Sequence, residues 1–182
     1  MKTTKRKQIT DLPFLNLFEA TYEHEGKEGK WTYASRSTSK PKECDAVMVV
    51  GIVMKDTPKI VLIKQYRVPV GEYIIEFPAG LLDKDETIEV AAKREFEEET
   101  GMKIKEIKNV SPPTFNSAGI TDETVAMVFA SVEGEPSTEL NESSEDIEIL
   151  VLDKNQLLEL IKDEQIKWSA KAWMYCGFFS NF

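Results

Sequence analysis

The segment Gly80–Met102, GLLDKDETIEVAAKREFEEETGM, decides how this chain is read. Ile88, Ala91, Ala92 and Phe96 recur at the three-and-four spacing of a helix with one packing face. The pattern predicts a helix over about Thr87–Thr100, with Asp85 or Glu86 near its N-cap. The end of that helix is unusual. Glu95, Glu97, Glu98 and Glu99 crowd the turn before Gly101, where helix carbonyls already concentrate negative charge and like charges three and four apart repel. Glu95, Glu98 and Glu99 stand at i, i+3 and i+4 and project from one face. A solvated acidic face is the usual meaning of a charge run, but an ordinary helix would carry Lys or Arg before its glycine stop. The cluster calls for positive charge from elsewhere, and carboxylate oxygens are the ligands of hard divalent cations.

Outward from that segment, 182 residues suffice for one domain with its own core, expected over residues 1–182. About residues 1–40 read as N-terminal strands and 41–182 as the core. A net charge of −9 argues against sequence-independent nucleic-acid binding, which needs a basic surface. Cys44 and Cys176 are too few for a disulfide framework and read as core residues in a reducing compartment. No apolar run reaches membrane-spanning length, and MKTTKRKQITDLPF lacks the apolar core of a signal peptide, so the cytoplasm is expected. The basic cluster Lys2, Lys5, Arg6 and Lys7 reads as a frayed, solvated terminus.

Strands are expected near Leu17–Tyr22, Trp31–Arg36, Ala46–Met54, Ile60–Tyr66, Tyr73–Phe77, Ile104–Val110, Thr124–Val132 and Ile147–Leu152. Asp153 reads as the N-cap of a helix through Leu160 and Ile161, and a last helix is expected over Ile166 to about Phe179. Ser111–Thr121, SPPTFNSAGIT, and Glu133–Ser144, EGEPSTELNESS, read as loops. The pattern is α+β with mixed strands.

Elimination narrows the chemistry. His24 is the one histidine, so a Ser-His-Asp or Cys-His arrangement and a His-rich zinc site are excluded in practice. No Gly-x4-Gly-Lys-Ser/Thr string occurs. Carboxylates remain, suited to Mg²⁺ or Mn²⁺ and to phosphoryl chemistry, where a diphosphate supplies the oxygens that complete the coordination. Glu95 and Glu99, one turn apart, are candidate direct ligands, and Glu98 a ligand or the holder of a bound water. The Ala79 carbonyl, beside Gly80, is a further candidate ligand. Arg94 is expected to orient a carboxylate by a bidentate contact. Glu86 either supports the cluster or favours the helix start.

Gly80, Glu86, Arg94-Glu95, Phe96, Glu98-Glu99, Gly101 and Met102 also meet every fixed position of the Nudix box. A chance match in one chain is on the order of one in a million. The chain resembles the Nudix hydrolases. IEFPAGLLDKDET before AAKREFEEETG, with WTYASR at Trp31–Arg36 and KQYRVPVGEY at Lys64–Tyr73, resembles the ADP-ribose pyrophosphatase group. The resemblance implies an α/β/α sandwich with a mixed β-sheet and an N-terminal antiparallel strand region. It implies a homodimer that exchanges N-terminal strands, and Mg²⁺-dependent cleavage of ADP-ribose, or a related nucleoside diphosphate sugar, to AMP and ribose 5-phosphate.

Carried onto this chain, it gives Trp31 and Tyr33 as adenine-stacking or pocket residues and Arg36 and Arg67 as phosphate or ribose contacts. It places Glu76 near the metal site and Glu145 as the water-activating or third metal-binding carboxylate, with Glu142 and Asp146 as substitutes. One departure bears on ADP-ribose itself: Ala118 stands near the position where many of these enzymes have proline. The alternatives are a hydrolase of another nucleoside diphosphate derivative, such as a GDP-sugar, and a non-catalytic ADP-ribose sensor.

Overall fold

The structure is a computed structural model that describes residues 1–37, 43–143 and 145–180, with the side chains of the last two left out. The expected division near residues 40–41, and Ser144 at the end of the acidic loop, lie outside the described residues. The chain forms two compact units, Met1–Ala46 with Pro112–Ala126, and Val47–Ser111 with Met127–Phe182.

The first unit is built on an antiparallel sheet in the order β1 (Lys2–Gln8), β2 (Asn16–His24), β3 (Lys27–Ser35). Glu25 and Gly26, both at positive φ, turn β2 into β3. The basic terminus is therefore not frayed: Lys2 to Gln8 pair with Phe18 to Glu23. Arg6 explains why, since its guanidinium lies 3.9 Å over the Phe18 ring and donates to Ser35 Oγ at 2.9 Å. The stretch expected as pure loop contains a short strand β9 (Thr114–Phe115), paired with Val125 and Thr124. In the same unit, Asp45 Oδ2 accepts from the backbone N–H and hydroxyl of Thr124 at 2.8 and 3.1 Å.

The second unit carries most of a mixed sheet. Its strands are β4 (Ala46–Val53), β5 (Lys59–Arg67), β6 (Glu72–Glu76), β7 (Ala79–Leu81), β8 (Lys103–Val110), β10 (Thr124–Glu133), β11 (Ile147–Leu152) and β12 (Lys167–Trp168). The order is β12-β6-β5-β4-β10-β8, with β11 on β5 and β7 on β4. The β12–β6 pair is parallel, and the pairs β4–β5, β5–β6, β5–β11 and β8–β10 are antiparallel.

Three helices complete it: α1 (Ile88–Thr100), α2 (Lys154–Lys162) and α3 (Ala170–Ser180). Helix α1 packs on β7 and β8, α2 on α3 and β11, and α3 on β6. The arrangement is the α+β one expected. Ala91, Ala92 and Phe96 of α1 are fully buried against Val47, Val49, Val61, Val128 and Val132. Burying the Phe96 ring alone is worth about 2–3 kcal/mol. Among the described residues no helix is long and apolar enough to cross a membrane.

Two boundaries differ from expectation. The N-cap of α1 is Thr87, whose side chain accepts from Val90 N. Glu86 does not serve because its carboxylate is committed to Asp83 N and Arg94. The last helix starts at Ala170, since Lys167–Trp168 form an edge strand and Ser169 Oγ accepts from Ala172 N at 3.3 Å. Asp153 does cap α2, in a full capping box with Gln156.

Candidate active site

The chain segment before α1 is held first by the sheet. The Pro78 carbonyl accepts from Val49 N at 2.8 Å, which sets Ala79 and Gly80 beside the last turns of α1. Ala79 then donates its backbone N–H to Glu99 Oε2 at 2.9 Å. Gly80 comes closer still. A Cβ there would stand 2.0 Å from the Glu95 carboxyl carbon, so only glycine admits that side chain. Gly101 ends the helix at φ 67°, and its N–H donates to the Glu97 carbonyl at 2.8 Å.

Charge is distributed unevenly over this cluster. Arg94 forms a two-pronged contact with Glu86, Nε to Oε1 at 3.1 Å and Nη2 to Oε2 at 2.9 Å. Its Nη1 reaches Glu95 at 2.8 Å and Glu98 at 3.0 Å, and Nη2 also donates to the Leu81 carbonyl at 3.0 Å. The Arg94 hydrogen bonds hold the Glu86 carboxyl below its ordinary range, and its acidic partners raise Arg94 in turn. Glu95 is pushed up by burial, against the pull of Arg94.

Glu99 receives no such help from Arg94. It is 2% exposed, and burial pushes its carboxyl up to about 8. The Ala79 N–H and the charge of Arg67 favour ionisation, while the charges of Glu145 and Glu95 oppose it.

Strand β5 contributes the facing wall. Gln65 pairs with Ile74 and Ile147, and Ile63 with Glu76 and Ile149. Pleating therefore puts Arg67, Gln65 and Glu76 on one face. Arg67 Nε donates to Glu76 Oε2 at 2.5 Å. Of the three acidic residues that come after the motif as candidate bases, only Glu145 bears on both Glu95 and Glu99. The Asp146 carboxylate accepts from the Tyr73 hydroxyl, and Glu142 is exposed.

The sequence-derived residues thus fall into two sets. Ala79, Arg94, Glu95, Glu98, Glu99, Arg67, Glu76 and Glu145 belong to the second unit; Trp31 and Arg36 belong to the first. There Trp31 and Tyr33 line a cavity of about 440 Å³ with Phe115, Ala118 and Asp122. Trp31 Nε1 donates to the Gly119 carbonyl at 3.0 Å, and Arg36 Nε to Glu123 Oε1 at 2.6 Å. Sequence reasoning left the partner of Glu86 open and missed the Tyr73–Asp146 bond. No local pattern signals the second, which joins residues 73 positions apart.

The donor set bears on whether a divalent cation fits. Among the described residues no three Asp, Glu, His or Cys side chains already form a metal cage. The chemistry nevertheless fits. The candidate side-chain donors are carboxylates, Glu99 is buried beside two more of them, and Gly80 leaves a hollow that a Cβ would fill.

Relatives accord with this geometry. Residues 43–174 match the model of the NUDIX domain. The chain is 30% identical over 184 residues to the ADP-sugar pyrophosphatase of Mus musculus, covering 94% of this chain and 84% of that protein. It is 34% identical over 177 residues to the ADP-ribose pyrophosphatase of Saccharomyces cerevisiae, covering 92% and 74%. With a Caenorhabditis elegans protein named for the same family it shares 36% identity over 146 residues, 76% of this chain but 65% of that protein. A solved structure titled as an ADP compounds hydrolase superposes with a TM-score of 0.70 at 19% identity, over 90% of this chain and 83% of the other, which supports the fold. Nudix hydrolases generally use divalent metal ions. The chain belongs to the Nudix hydrolase family.

Proposed function

We propose that this protein is a metal-dependent pyrophosphohydrolase that cleaves the diphosphate of ADP-ribose, or of a related nucleoside diphosphate sugar, giving AMP and ribose 5-phosphate from ADP-ribose. The observation that carries this is Glu99, a carboxylate 2% exposed at the end of α1 beside Glu95 and Glu145. Such a group is costly unless a cation joins it. The ion proposed is Mg²⁺, with Mn²⁺ as its substitute, held by Glu95, Glu98, Glu99 and the Ala79 carbonyl. Once bound, the ion neutralises phosphate oxygens and makes a ligated water acidic enough to ionise near neutral pH.

The chain's own groups do the rest. Arg94 ties Glu86, Glu95 and Glu98 into one rigid set, which orients the ligands. Arg67, steered by Glu76, meets phosphate or the terminal ribose. Glu145 takes the proton of the attacking water. Water oxygen adds to one phosphorus, the bond from that phosphorus to the bridging oxygen breaks, and a proton is released. In the first unit, Trp31 offers an indole face that is 55% exposed for the adenine, and Arg36 a charge for phosphate. We assign the protein to the cytoplasm, where its two buried free cysteines would stay reduced, and the resemblance to the ADP-ribose pyrophosphatase group suggests a homodimer. A net charge of −9 argues against nucleic acid as a partner.

The test is product analysis on ADP-ribose, ADP-glucose, GDP-mannose, NADH and diadenosine polyphosphates with Mg²⁺, run in parallel on Glu99→Gln. AMP released preferentially from ADP-ribose, and lost in the variant, supports the reading. Preference for GDP-mannose replaces the substrate and keeps the chemistry. Tight ADP-ribose binding without turnover makes the protein a sensor.

A further inference from the structure

The face of β5 turned away from Arg67 and Glu76 carries a row that the reaction does not use. Tyr66 pairs with Tyr73 of β6, and Lys64 with Glu148 of β11. The two tyrosine rings meet edge to face at 5.3 Å, and Lys64 Nζ lies 5.4 Å over the Tyr73 ring and 3.1 Å from Glu148 Oε2. The same register places Asp146 opposite Tyr66, whose backbone N–H donates to the Asp146 carbonyl at 3.1 Å. The Tyr73 hydroxyl then reaches past Tyr66 and donates to the Asp146 carboxylate.

Asp146 is thus tied at backbone and side chain to two neighbouring strands, at the point where the acidic loop enters β11. The adjoining backbone carries that restraint to Glu145, one peptide bond away. Strand β11 itself begins at Ile147, so Glu145 lies just before the strand, and holding Asp146 limits where the backbone can carry the Glu145 side chain. The Glu145 charge bears on Glu95 and Glu99. The rest of the restraint on Glu145 is local: it exchanges hydrogen bonds with Glu142, backbone N–H to carbonyl and carboxylate to backbone N–H, both at 3.0 Å. Both bonds tie Glu145 to Glu142 rather than to β5 or β6.

We propose that Tyr73 is a positioning residue for hydrolysis: its hydrogen bond to Asp146 fixes the start of β11 so that Glu145 faces the carboxylates of α1. The inference rests on the reading of Glu145 as the base. Tyr73 meets neither substrate nor metal; it acts through the backbone between Asp146 and Glu145. Tyr73→Phe removes the hydroxyl and keeps the ring between Tyr66 and Lys64, so the fold has little reason to change. A misplacement of the base on the ångström scale lowers kcat by roughly ten- to a hundredfold, and KM, set by other residues, stays within about twofold.

The test is a kinetic cycle of wild type, Tyr73→Phe, Glu145→Gln and the double variant on ADP-ribose with saturating Mg²⁺, with Asp146→Ala as a second way to cut the tether. Tyr73→Phe and Asp146→Ala should lower kcat to the same extent, with melting temperatures near that of the wild type. In the Glu145→Gln background Tyr73→Phe should have no further effect, because there is no base left to aim. A Tyr73→Phe enzyme with wild-type kcat, beside an impaired Glu145→Gln, overturns the tether and spares the base. Equal losses from Tyr73→Phe with and without Glu145 overturn it too, since the hydroxyl would then act by another route. A fully active Glu145→Gln removes the base reading and this inference with it.

Discussion

Gly80→Ala is the smallest change that discriminates a built site from a charged surface. The substitution adds one methyl group whose carbon would stand 2.0 Å from both Cδ and Oε2 of Glu95 and 2.2 Å from Oε1. Ordinary contact begins near 3.4 Å, so the carboxylate must retreat by roughly 1.4 Å. Gly80 is not at positive φ, so the backbone accepts alanine without strain. The atoms that must move are the end of a flexible side chain, which puts the stability cost at the low end of overpacking, about 1 kcal/mol.

Function should suffer far more. Glu95 would leave Arg94 Nη1, now at 2.8 Å, and could not stand where a ligand is needed. A displacement of that size costs on the order of a hundredfold in rate, equivalent to about 2.7 kcal/mol of barrier. The assay is AMP release from ADP-ribose at saturating Mg²⁺, alongside thermal melting. Gly177→Ala, where the new carbon meets only ordinary contacts, serves as the neutral control. A Gly80→Ala enzyme that melts near the wild type and retains its rate would refute the claim that Glu95 works from this position.

Three other outcomes are expected from the same geometry. Arg94→Lys keeps the charge and loses the two-pronged grip on Glu86; activity should fall at least tenfold and stability by about 1.5–3 kcal/mol, read by kinetics and denaturant melts. Because the Glu99 carboxyl is raised to about 8 in the folded protein from 4.5, the metal-free fold binds that proton more tightly than the unfolded chain. The associated stability is complete below about pH 4.5 and drains away as pH rises through about 8. Melting temperature without metal should therefore fall across that window, Glu99→Gln should flatten the fall, and Mg²⁺ should stabilise more at pH 8 than at pH 6. Arg67→Gln breaks the pair with Glu76 and should raise KM for ADP-ribose roughly tenfold or more with a smaller change in kcat, measured by steady-state kinetics.

The sequence was most legible where spacing alone carries the physics. The α1 stripe of Ala91, Ala92 and Phe96 is buried as the three-and-four pattern requires, and Asp153 caps α2 as its side chain and Gln156 permit. Composition misled at the N-terminus, because the pairing of Lys2–Gln8 depends on a distant strand and on Arg6 lying over Phe18. Within the site, the face shared by Glu95, Glu98 and Glu99 came from helix geometry. Their unequal surroundings did not: Arg94 reaches Glu95 and Glu98, while Glu99 takes its hydrogen bond from Ala79. Such differences are set by β7 folding back onto α1, a long-range contact that local patterns do not encode. The preference for Glu145 among three acidic residues came from the resemblance, whereas the tie of Asp146 to Tyr73 depends on strand pairing that local patterns do not encode.

The central claim is that the carboxylates ending α1 work with a divalent cation on a diphosphate. The most direct measurement is the rate of AMP and ribose 5-phosphate release from ADP-ribose as Mg²⁺ is titrated into metal-stripped protein, for wild type and Glu99→Gln. The account predicts no release without metal, saturable activation of the wild type, and a rate at least a hundredfold lower in the variant at every Mg²⁺ concentration. Equal turnover by the two proteins, or turnover by the stripped wild type, would contradict it.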